Sequence, residues 1–358
     1  MIDDFFLKTP YELSKDDKVK LLTKELTDLT LHHKDCCKEY GSIIGAYGFD
    51  ASRINTYYDL PFIPVRLFKE YDLKSIKNED VFKTMTSSGT TGQKVSKIYV
   101  DRDTASNQQK TLIKIMSDFI GKQRLPMLII DSPKVVKDRS LFSARGAAIL
   151  GLSMLARDRV YALDENMELQ LDVVREFCEK YKGQRVLIFG FTFMVWQHLY
   201  SKLKELNVKL DLPEAFLITG GGWKKLVTLN ISRDAFKNAL REQCGIGHFL
   251  DHYGMVEQTG SIYAECECGH LHASIYSDVI IRNPKDFSVC DKNEKGIIQV
   301  VSVLPYSYPG HSLLTEDEGI ILGEDDCPCG RKGKYFMITG RMKKAELRGC
   351  SDTYADKF

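Results

Sequence analysis

The sequence lacks several features that would assign it to a common class of proteins. Its 50 Lys and Arg residues nearly cancel its 49 Asp and Glu residues, and the formal net charge of +1 favours neither nucleic acid nor an anionic membrane as a partner. No apolar run approaches the roughly 18 residues that span a bilayer, and acids rather than bases follow Met1. We therefore expect a cytoplasmic protein that neither inserts into membranes nor binds nucleic acid.

Cysteine is too scarce and too clustered for a secreted disulfide scaffold. The chain has 10 cysteines in 358 residues, and in a reducing compartment clustered thiols indicate metal or thiol chemistry more often than disulfides. Hydrophobic residues make up 43% of the sequence, enough to bury a large core. Disordered and fibrous classes are excluded.

Hydrophobic periodicity predicts an α/β protein with a β-rich part. Leucines near helical spacing follow a capping-box-like segment at Ser14–Asp17 and predict one or two helices between Tyr11 and Tyr47. Strand-rich segments with turns predominate from Cys266 onward. Short apolar runs typical of buried strands in an α/β sheet lie at Met127–Ile130, Arg185–Phe189 and Ala215–Thr219.

The segment Thr86–Lys94 combines hydroxyl side chains with two glycines. Such a loop lets backbone N–H groups and hydroxyls converge on phosphate oxygens, and a lysine adds a point charge. The spacing does not match the Walker pattern, and a plain surface turn is the alternative. The candidate phosphate-binding residues are Thr86, Ser87, Ser88, Gly89, Thr90, Thr91, Gly92 and Lys94.

A second glycine-rich segment follows the apolar run Phe216–Thr219. Gly220, Gly221 and Gly222 predict a turn at the carboxyl end of a strand, the edge at which α/β sheets bind ligands. A structural turn without a ligand is the alternative interpretation.

Two short cysteine pairs predict a metal site. Cys266 and Cys268 form one C-x-C pair, and Cys327 and Cys329 form another that is followed by glycine. If the fold brings the pairs together, four thiolates would give the tetrahedral site that structural Zn²⁺ prefers. His270 and His272 are possible substitute ligands, and unrelated reduced thiols are the alternative.

Five blocks between Thr86 and Arg341 resemble, in the same order, the adenylate-forming enzymes, the superfamily of acyl-CoA ligases and luciferase-like proteins. They are Ser87–Lys94, Gly220–Lys224, Asp251–Glu257, Leu314–Asp317 and Thr339–Arg341. The resemblance implies ATP and Mg²⁺ as cofactors and the α/β fold of that superfamily's large domain. We expect this core to span residues 1–338, with the β-rich, zinc-stapled part at about 262–338.

The resemblance also implies a role for each matched residue. Tyr253 would stack on adenine, Glu257 would bind Mg²⁺, Asp317 would accept hydrogen bonds from the ribose, and Arg341 would contact ribose or phosphate. The sequence departs from the pattern at Val256, where a phosphate-binding threonine is usual.

Three further segments resemble the acyl-protein synthetases of bacterial bioluminescence, which are long-chain fatty acid ligases. They are Phe142–Ala148, His252–Gln258 and Arg348–Ser351. In that family a cysteine matching Cys350 takes the acyl group. Together with Lys94 and Glu257 from the superfamily blocks, Cys350 is therefore a candidate catalytic residue. The chain ends 17 residues after Arg341, and we expect a short tail at 339–358 in place of the superfamily's lid domain.

The sequence thus predicts a ligase that adenylates a fatty acid, transfers the acyl group to Cys350 and passes it to a reductase-like partner protein. An acid:CoA ligase resembling phenylacetate-CoA ligase is one alternative. A catalytically silent, zinc-stabilised nucleotide-binding protein is the other.

Overall fold

The computed structural model describes residues 2–87, 94–137, 144–221 and 231–342. None of the helices in these ranges is long and apolar enough to cross a bilayer. The α-helices are α1 Ile2–Phe6, α2 Lys15–Cys36, α3 Lys38–Ala46, α4 Leu67–Glu70, α5 Arg102–Ile120, α6 Lys134–Lys137, α7 Ala144–Leu152, α8 Leu171–Lys180, α9 Thr192–Met194, α10 Ser201–Glu205 and α11 Arg233–Cys244. The strands are β1 Ile63–Pro64, β2 Lys83–Thr86, β3 Lys97–Val100, β4 Leu125–Ile129, β5 Ala156–Tyr161, β6 Val186–Phe191, β7 Ala215–Gly220, β8 His248–Tyr253, β9 Tyr263–Glu265, β10 Leu271–His272, β11 Ser277–Arg282, β12 Lys295–Ser302, β13 Ser312–Glu324 and β14 Lys334–Arg341.

The chain divides into two compact units, and neither is continuous in sequence. The described residues of the first unit are 2–87, 94–119 and 253–342. Those of the second unit are 120–137, 144–221 and 231–252. The N-terminal helices therefore belong to the same compact unit as the β-rich part. No local pattern in the sequence predicts this association.

The sheet of the first unit is mostly antiparallel. Its strands follow the order β11, β12, β13, β14, β10 and β9, and β1 pairs in parallel with β13. Strands β2 and β3 form a separate antiparallel pair. In the β13–β14 ladder Asp317 lies directly opposite Arg341. The predicted β-rich character after Cys266 is confirmed.

The sheet of the second unit is parallel, in the order β5, β4, β6, β7 and β8. The three apolar runs that predicted buried strands correspond to β4, β6 and β7, and each of these strands is buried along its whole length. Gly220 at the end of β7 pairs with Phe191 at the end of β6. The carboxyl ends of two strands therefore meet where the sequence predicted the glycine turn.

Helix α2 begins as the capping pattern predicts and buries its leucine face. The Ser14 hydroxyl accepts a hydrogen bond from the backbone N–H of Asp17 and donates to the Asp17 carboxylate at 2.8 Å. Leu22, Leu26 and Leu29 are buried. Their spacing of four and three residues places them on one face of the helix.

A buried carboxylate joins α2 to the sheet of the first unit. Asp278 in β11 is 1% exposed and lies 3.5 Å from Lys18 Nζ and 3.3 Å from Lys334 Nζ. It also accepts a hydrogen bond from the Tyr57 hydroxyl. Burial acts to raise the pKa of Asp278, but the two ammonium charges outweigh burial, and the pKa is lowered. Four sequence-distant segments are thereby fixed at one point.

Two stacked imidazoles lie in the core of the same unit. The rings of His33 and His311 are 4.8 Å apart, and both residues are fully buried. His311 Nε2 lies 2.9 Å from Thr30 Oγ1, and His33 Nδ1 lies 2.7 Å from Ser75 Oγ. Burial lowers the pKa of His311 to about 3 and lowers the pKa of His33 well below its usual value. Both rings are therefore neutral in the folded protein at neutral pH.

We expect the free energy of unfolding to fall as the pH drops below about 6.5. Below that pH the histidines bind protons in the unfolded chain, whereas the two buried rings stay neutral in the folded protein. For His311 the loss continues down to its folded pKa of about 3. His311→Asn should remove about 1.4 kcal/mol per pH unit from this slope between pH 5.5 and 4.5. Urea unfolding followed by circular dichroism at several pH values measures the slope.

His248→Asn is the matched control, because His248 is exposed. It separates the effect of a histidine-to-asparagine change at the surface from the effect of removing a buried ring. An identical slope in His311→Asn and the native protein would show that the buried ring takes up protons without unfolding.

Candidate functional site

Three predicted site residues converge in the first unit. Tyr253 ends β8, Asp317 lies in β13, and Arg341 ends β14. The Tyr253 hydroxyl donates to Asp317 Oδ2 at 2.8 Å, and Arg341 Nε lies 3.1 Å from Asp317 Oδ1. The cross-strand register places Arg341 opposite Asp317. The structure therefore brings together residues that are up to 88 positions apart in the sequence.

The electrostatics of this cluster favour a protonated phenol at Tyr253. Burial raises the pKa of Tyr253 well above its usual value, and the negative charge of Asp317 raises it further. The phenol is therefore a hydrogen-bond donor at neutral pH. Each Asp317 oxygen accepts one of these bonds and keeps lone-pair capacity for a further donor. A ligand that offers hydroxyl groups and a flat ring fits this chemistry.

Glu257 lies in a 3₁₀ turn, Val256–Gln258, that follows β8. Its side chain is buried, and burial together with the Glu257 charge raises the pKa of the neighbouring Tyr308. Gly260 closes the turn with a φ of +88°, and a Cβ at this position would lie 2.6 Å from the backbone oxygen of Gln108. The predicted metal-binding acid is thus held on a turn that packs closely against α5.

The two ends of the predicted phosphate loop are anchored by the β2–β3 pair. Thr86 is the last residue of β2 and pairs with Lys97. The Ser87 N–H donates to the Ser96 carbonyl at 3.2 Å, and the Ser96 N–H donates to Ser87 Oγ at 2.9 Å. Lys94 Nζ forms an exposed ion pair with Glu70 at 3.1 Å. Ser88, Gly89, Thr90, Thr91 and Gly92 lie outside the described residues.

The predicted glycine turn begins where β7 ends. The Thr192 hydroxyl donates to the carbonyl of Gly220 at 3.3 Å, and Gly221 has a φ of +83°. A Cβ added at Gly221 would lie 2.9 Å from Cδ2 of Phe191. Gly220 therefore ends β7 and Gly221 follows it in the left-handed region of backbone conformation, while Gly222 lies outside the described residues.

The cysteine cluster forms with one ligand changed. Among the described residues, one ligand atom each from Cys266, His272, Cys327 and Cys329 lies within 4.8 Å of the others. Cys268 is exposed and is not part of this group, which corrects the predicted four-cysteine set. The C-x-C spacing favoured Cys268 as the fourth ligand. In the structure the fourth ligand is instead His272, which lies in strand β10 with its ring in the cluster.

The geometry of the cluster fits a tetrahedral zinc site. Zinc–ligand distances of about 2.3 Å to sulfur and 2.1 Å to nitrogen imply about 3.8 Å between sulfurs and about 3.6 Å between sulfur and nitrogen. Cys266 Sγ lies 3.9 Å from Cys327 Sγ, and His272 Nε2 lies 3.4 Å from Cys329 Sγ. His270 Nδ1 lies 3.3 Å from Cys327 Sγ, beside the four.

Similar turns present the two halves of the cluster. The Gly269 N–H donates to the Cys266 carbonyl at 2.8 Å, and the Gly330 N–H donates to the Cys327 carbonyl at 3.0 Å. Both glycines have φ near +80°. Burial raises the pKa of the Cys266 thiol to about 11 and lowers the pKa of His272 to about 4. Without a bound cation the thiol is therefore protonated and the imidazole neutral at neutral pH.

The family follows from a comparison of the whole sequence with known proteins. The profile of the family "Acyl-protein synthetase, LuxE" matches residues 1–358. The chain belongs to this family of acyl-protein synthetases. The predicted resemblance and the expected enzyme class, a ligase, are confirmed.

Two curated relatives of this acyl-protein synthetase family member align along nearly their full length. The long-chain-fatty-acid–luciferin-component ligase of Vibrio harveyi is 21% identical over 100% of this chain and 93% of its own length. The ligase of the same name from Aliivibrio fischeri is 23% identical over 99% of this chain and 93% of its own length.

A solved structure confirms the predicted fold class. A 2-hydroxyisobutyryl-CoA ligase, crystallised in an open conformation with 2-HIB-AMP and CoA, matches this acyl-protein synthetase family member with a TM-score of 0.73. The match covers 94% of this chain and 78% of that ligase at 16% identity. The acyl-protein synthetase family member therefore has the α/β fold of adenylate-forming ligases. At this level of identity the match shows the fold and does not transfer a substrate.

Gly221→Ala should destabilise the second unit more than Gly183→Ala does. Both glycines have positive φ, at +83° and +70°, so each substitution costs about 1–2 kcal/mol of backbone strain. A Cβ at position 183 meets nothing within 4 Å, whereas one at position 221 collides with Phe191. The collision should add about 1–3 kcal/mol. Equal losses in urea unfolding would contradict the close approach of Gly221 to Phe191.

Proposed function

We propose that this protein uses ATP to activate a long-chain fatty acid as an acyl adenylate and then transfers the acyl group through Cys350 to a partner protein. The convergence of Tyr253, Asp317 and Arg341, in a chain that belongs to the acyl-protein synthetase family, is the observation that carries this proposal. The relatives named as long-chain fatty acid ligases support the substrate class.

In the activation step a carboxylate oxygen of the acid attacks the α-phosphorus of ATP, and the bond from that phosphorus to pyrophosphate breaks. Such a reaction depends mainly on positioning and on neutralising phosphate charge. Tyr253 would stack on the adenine, and Asp317 would accept hydrogen bonds from the ribose with the lone pairs that Tyr253 and Arg341 leave available. Glu257 would hold Mg²⁺, which supplies positive charge to the phosphates.

The predicted phosphate loop Thr86–Lys94 would cradle the triphosphate. Its described ends are fixed by the β2–β3 pair. Lys94 would have to exchange its ion pair with Glu70 for a phosphate oxygen. That exchange is inexpensive, because an exposed pair contributes about 0–1 kcal/mol.

In the transfer step the Cys350 thiolate would attack the acyl carbonyl, and the bond to AMP would break. The thiol proton leaves beforehand, since the thiolate is the nucleophile. Lys343, Lys344 and Arg348 lie near Cys350 in sequence and would favour the thiolate. Cys350 lies outside the described residues. A reductase-like partner with its own nucleophile would then take the acyl group.

We also propose that Cys266, His272, Cys327 and Cys329 hold a structural Zn²⁺ ion. Three sulfurs and one imidazole nitrogen give a closed set of four ligands. Such a set leaves no position for substrate, so zinc would contribute folding energy. The ligands connect β10 and the β9–β10 turn to the segment between β13 and β14.

Activity with labelled acid tests the activation and transfer steps together. Incubated with radiolabelled hexadecanoate, ATP and Mg²⁺, the native protein should exchange pyrophosphate into ATP and acquire covalent label. Cys350→Ser should keep the exchange and lose about 90% or more of the label, because only the acceptor thiol is removed. Gel fluorography of the denatured protein measures the label.

Cys36→Ser is the control, since Cys36 is an exposed free thiol with no role in the proposed reaction. It should retain both activities. Label that appears only as acyl-CoA when CoA is added would contradict protein transfer and favour an acid:CoA ligase. No exchange with any acid tested would refute activation itself.

Metal analysis tests the zinc site. Purified protein should contain about one zinc ion per chain, and both Cys327→Ser and His272→Ala should lose it and unfold at a lower temperature. Cys268→Ser should retain the metal, because Cys268 is outside the group of four. Inductively coupled plasma mass spectrometry gives the content. Loss of zinc in Cys268→Ser with retention in His272→Ala would restore the four-cysteine set.

A further inference from the structure

The first unit contains a cavity that none of the proposed steps uses. It has a volume of about 550 Å³ and lies among the end of α3, the segment 50–64, the end of β11 and Leu314 of β13. Ligand cavities in proteins typically measure about 300–1,000 Å³. Tyr253, Glu257, Asp317 and Arg341 are not among its lining residues.

Aromatic side chains form much of the cavity wall. They are Tyr47, Phe49, Tyr58, Phe62 and Phe287. Tyr47 is 67% exposed and Phe287 is 44% exposed. Large exposed rings beside a cavity leave apolar surface in contact with water, and an apolar ligand would cover it.

A buried arginine gives the cavity its charge. Arg282 is 6% exposed and lines the cavity. Its Nε donates to Gln299 Oε1 at 2.7 Å, and its Nη1 and Nη2 donate to the backbone oxygens of Phe287 and Tyr58 at 3.1 and 2.7 Å. Its guanidinium also lies 5.2 Å from the centre of the Phe62 ring. All of these partners are neutral.

No carboxylate in the described part of the chain lies within ion-pair distance of Arg282. A buried charge is normally paired, because leaving it alone costs several kcal/mol. Three of the five guanidinium N–H groups are used in these contacts, and two remain for an anion. Asp59, which also lines the cavity, acts on Arg282 through space, but among the described residues no carboxylate forms an ion pair with the guanidinium.

The two acids that line the cavity accept hydrogen bonds from backbone N–H groups of neighbouring turns. Asp59 accepts hydrogen bonds from the backbone N–H groups of Asn55 and Thr56, at 3.1 and 2.9 Å. Asp50 accepts from the N–H of Ser52 at 3.0 Å and lies 3.4 Å from Arg53 Nε. The Arg53 side chain is 82% exposed and adds a second cation at the cavity.

We propose that this cavity binds a single-chain anionic amphiphile, a fatty carboxylate, with its head group at Arg282 and Arg53 and its chain against the aromatic wall. The site is separate from the residues proposed for acid activation. It therefore provides a second place on the same protein for an acid of the substrate class, and its occupancy does not depend on ATP.

Calorimetric titration of the full chain with dodecanoate, below its micelle concentration and without nucleotide, tests the site. Arg53→Glu and Phe287→Glu each place a negative charge at an exposed position of the cavity and should weaken binding by about tenfold or more. Arg124→Glu and Leu206→Glu are matched controls at exposed positions outside the cavity and should bind within about twofold of the native protein. Dodecan-1-ol should bind at least about tenfold more weakly than dodecanoate.

A dodecanoate analogue with a terminal diazirine locates the bound chain. After irradiation, mass spectrometry should find label in peptides that contain residues 47–64 or 282–287 in the native protein and not in Arg53→Glu. Pyrophosphate exchange supported by dodecanoate should remain within about twofold in both cavity variants. These measurements separate the cavity from the activation site.

Three outcomes would overturn the proposal. The first is unchanged dodecanoate affinity in both cavity variants, and the second is equal affinity for the alcohol and the acid. The third is parallel loss of pyrophosphate exchange and dodecanoate binding, which would show that the cavity and the activation site are the same site. If the native protein catalyses no exchange with any acid, the proposed function fails, but dodecanoate binding and its loss in the variants still decide the cavity.

Discussion

The pairing of one buried carboxylate sets the arrangement of the first unit. Asp278 pairs with both Lys18 and Lys334, and an isolated charge at this depth would be too costly to bury. Lys18 belongs to α2, and Lys334 begins β14, the strand that ends with Arg341. Removing the Asp278 carboxylate would leave the buried ammonium groups of Lys18 and Lys334 without their shared counter-charge. Docking of α2 is therefore coupled energetically to the strand that ends at Arg341, a residue of the proposed nucleotide site.

Strands β13 and β14 connect the proposed nucleotide and metal sites. Asp317 and Arg341 meet at one end of their ladder, and Glu324 pairs with Lys334 at the other. Cys327 and Cys329 lie in the segment that joins the two strands. At about 3.3 Å per residue, the seven steps along β14 from Lys334 to Arg341 separate the two ends by about 23 Å. A zinc ion bound in the segment between β13 and β14 would therefore not contact substrate. It would influence the residues of the proposed nucleotide site only by fixing the geometry of these two strands.

Much of the local structure follows from sequence patterns that are themselves local. Short apolar runs such as Ala215–Thr219 predicted buried strands of an α/β sheet, because strands covered on both faces are mostly apolar. Ser14 and the leucine spacing predicted α2. The resemblance to adenylate-forming enzymes implied that Tyr253, Asp317 and Arg341 share a site. It did not reveal that they contact one another, since hydrogen bonds between distant segments depend on register.

The sequence by itself determined the family, the strand and helix segments and the chemistry available at each motif, because these depend on residue type and short-range spacing. The tertiary structure decided which residues meet. It placed His272 among the cysteines instead of Cys268, and it packed residues 2–119 with residues 253–342 where both are described. It also buried Arg282 among neutral partners in a cavity wall. Each outcome depends on pairing across long sequence separations, which periodicity along one segment does not encode.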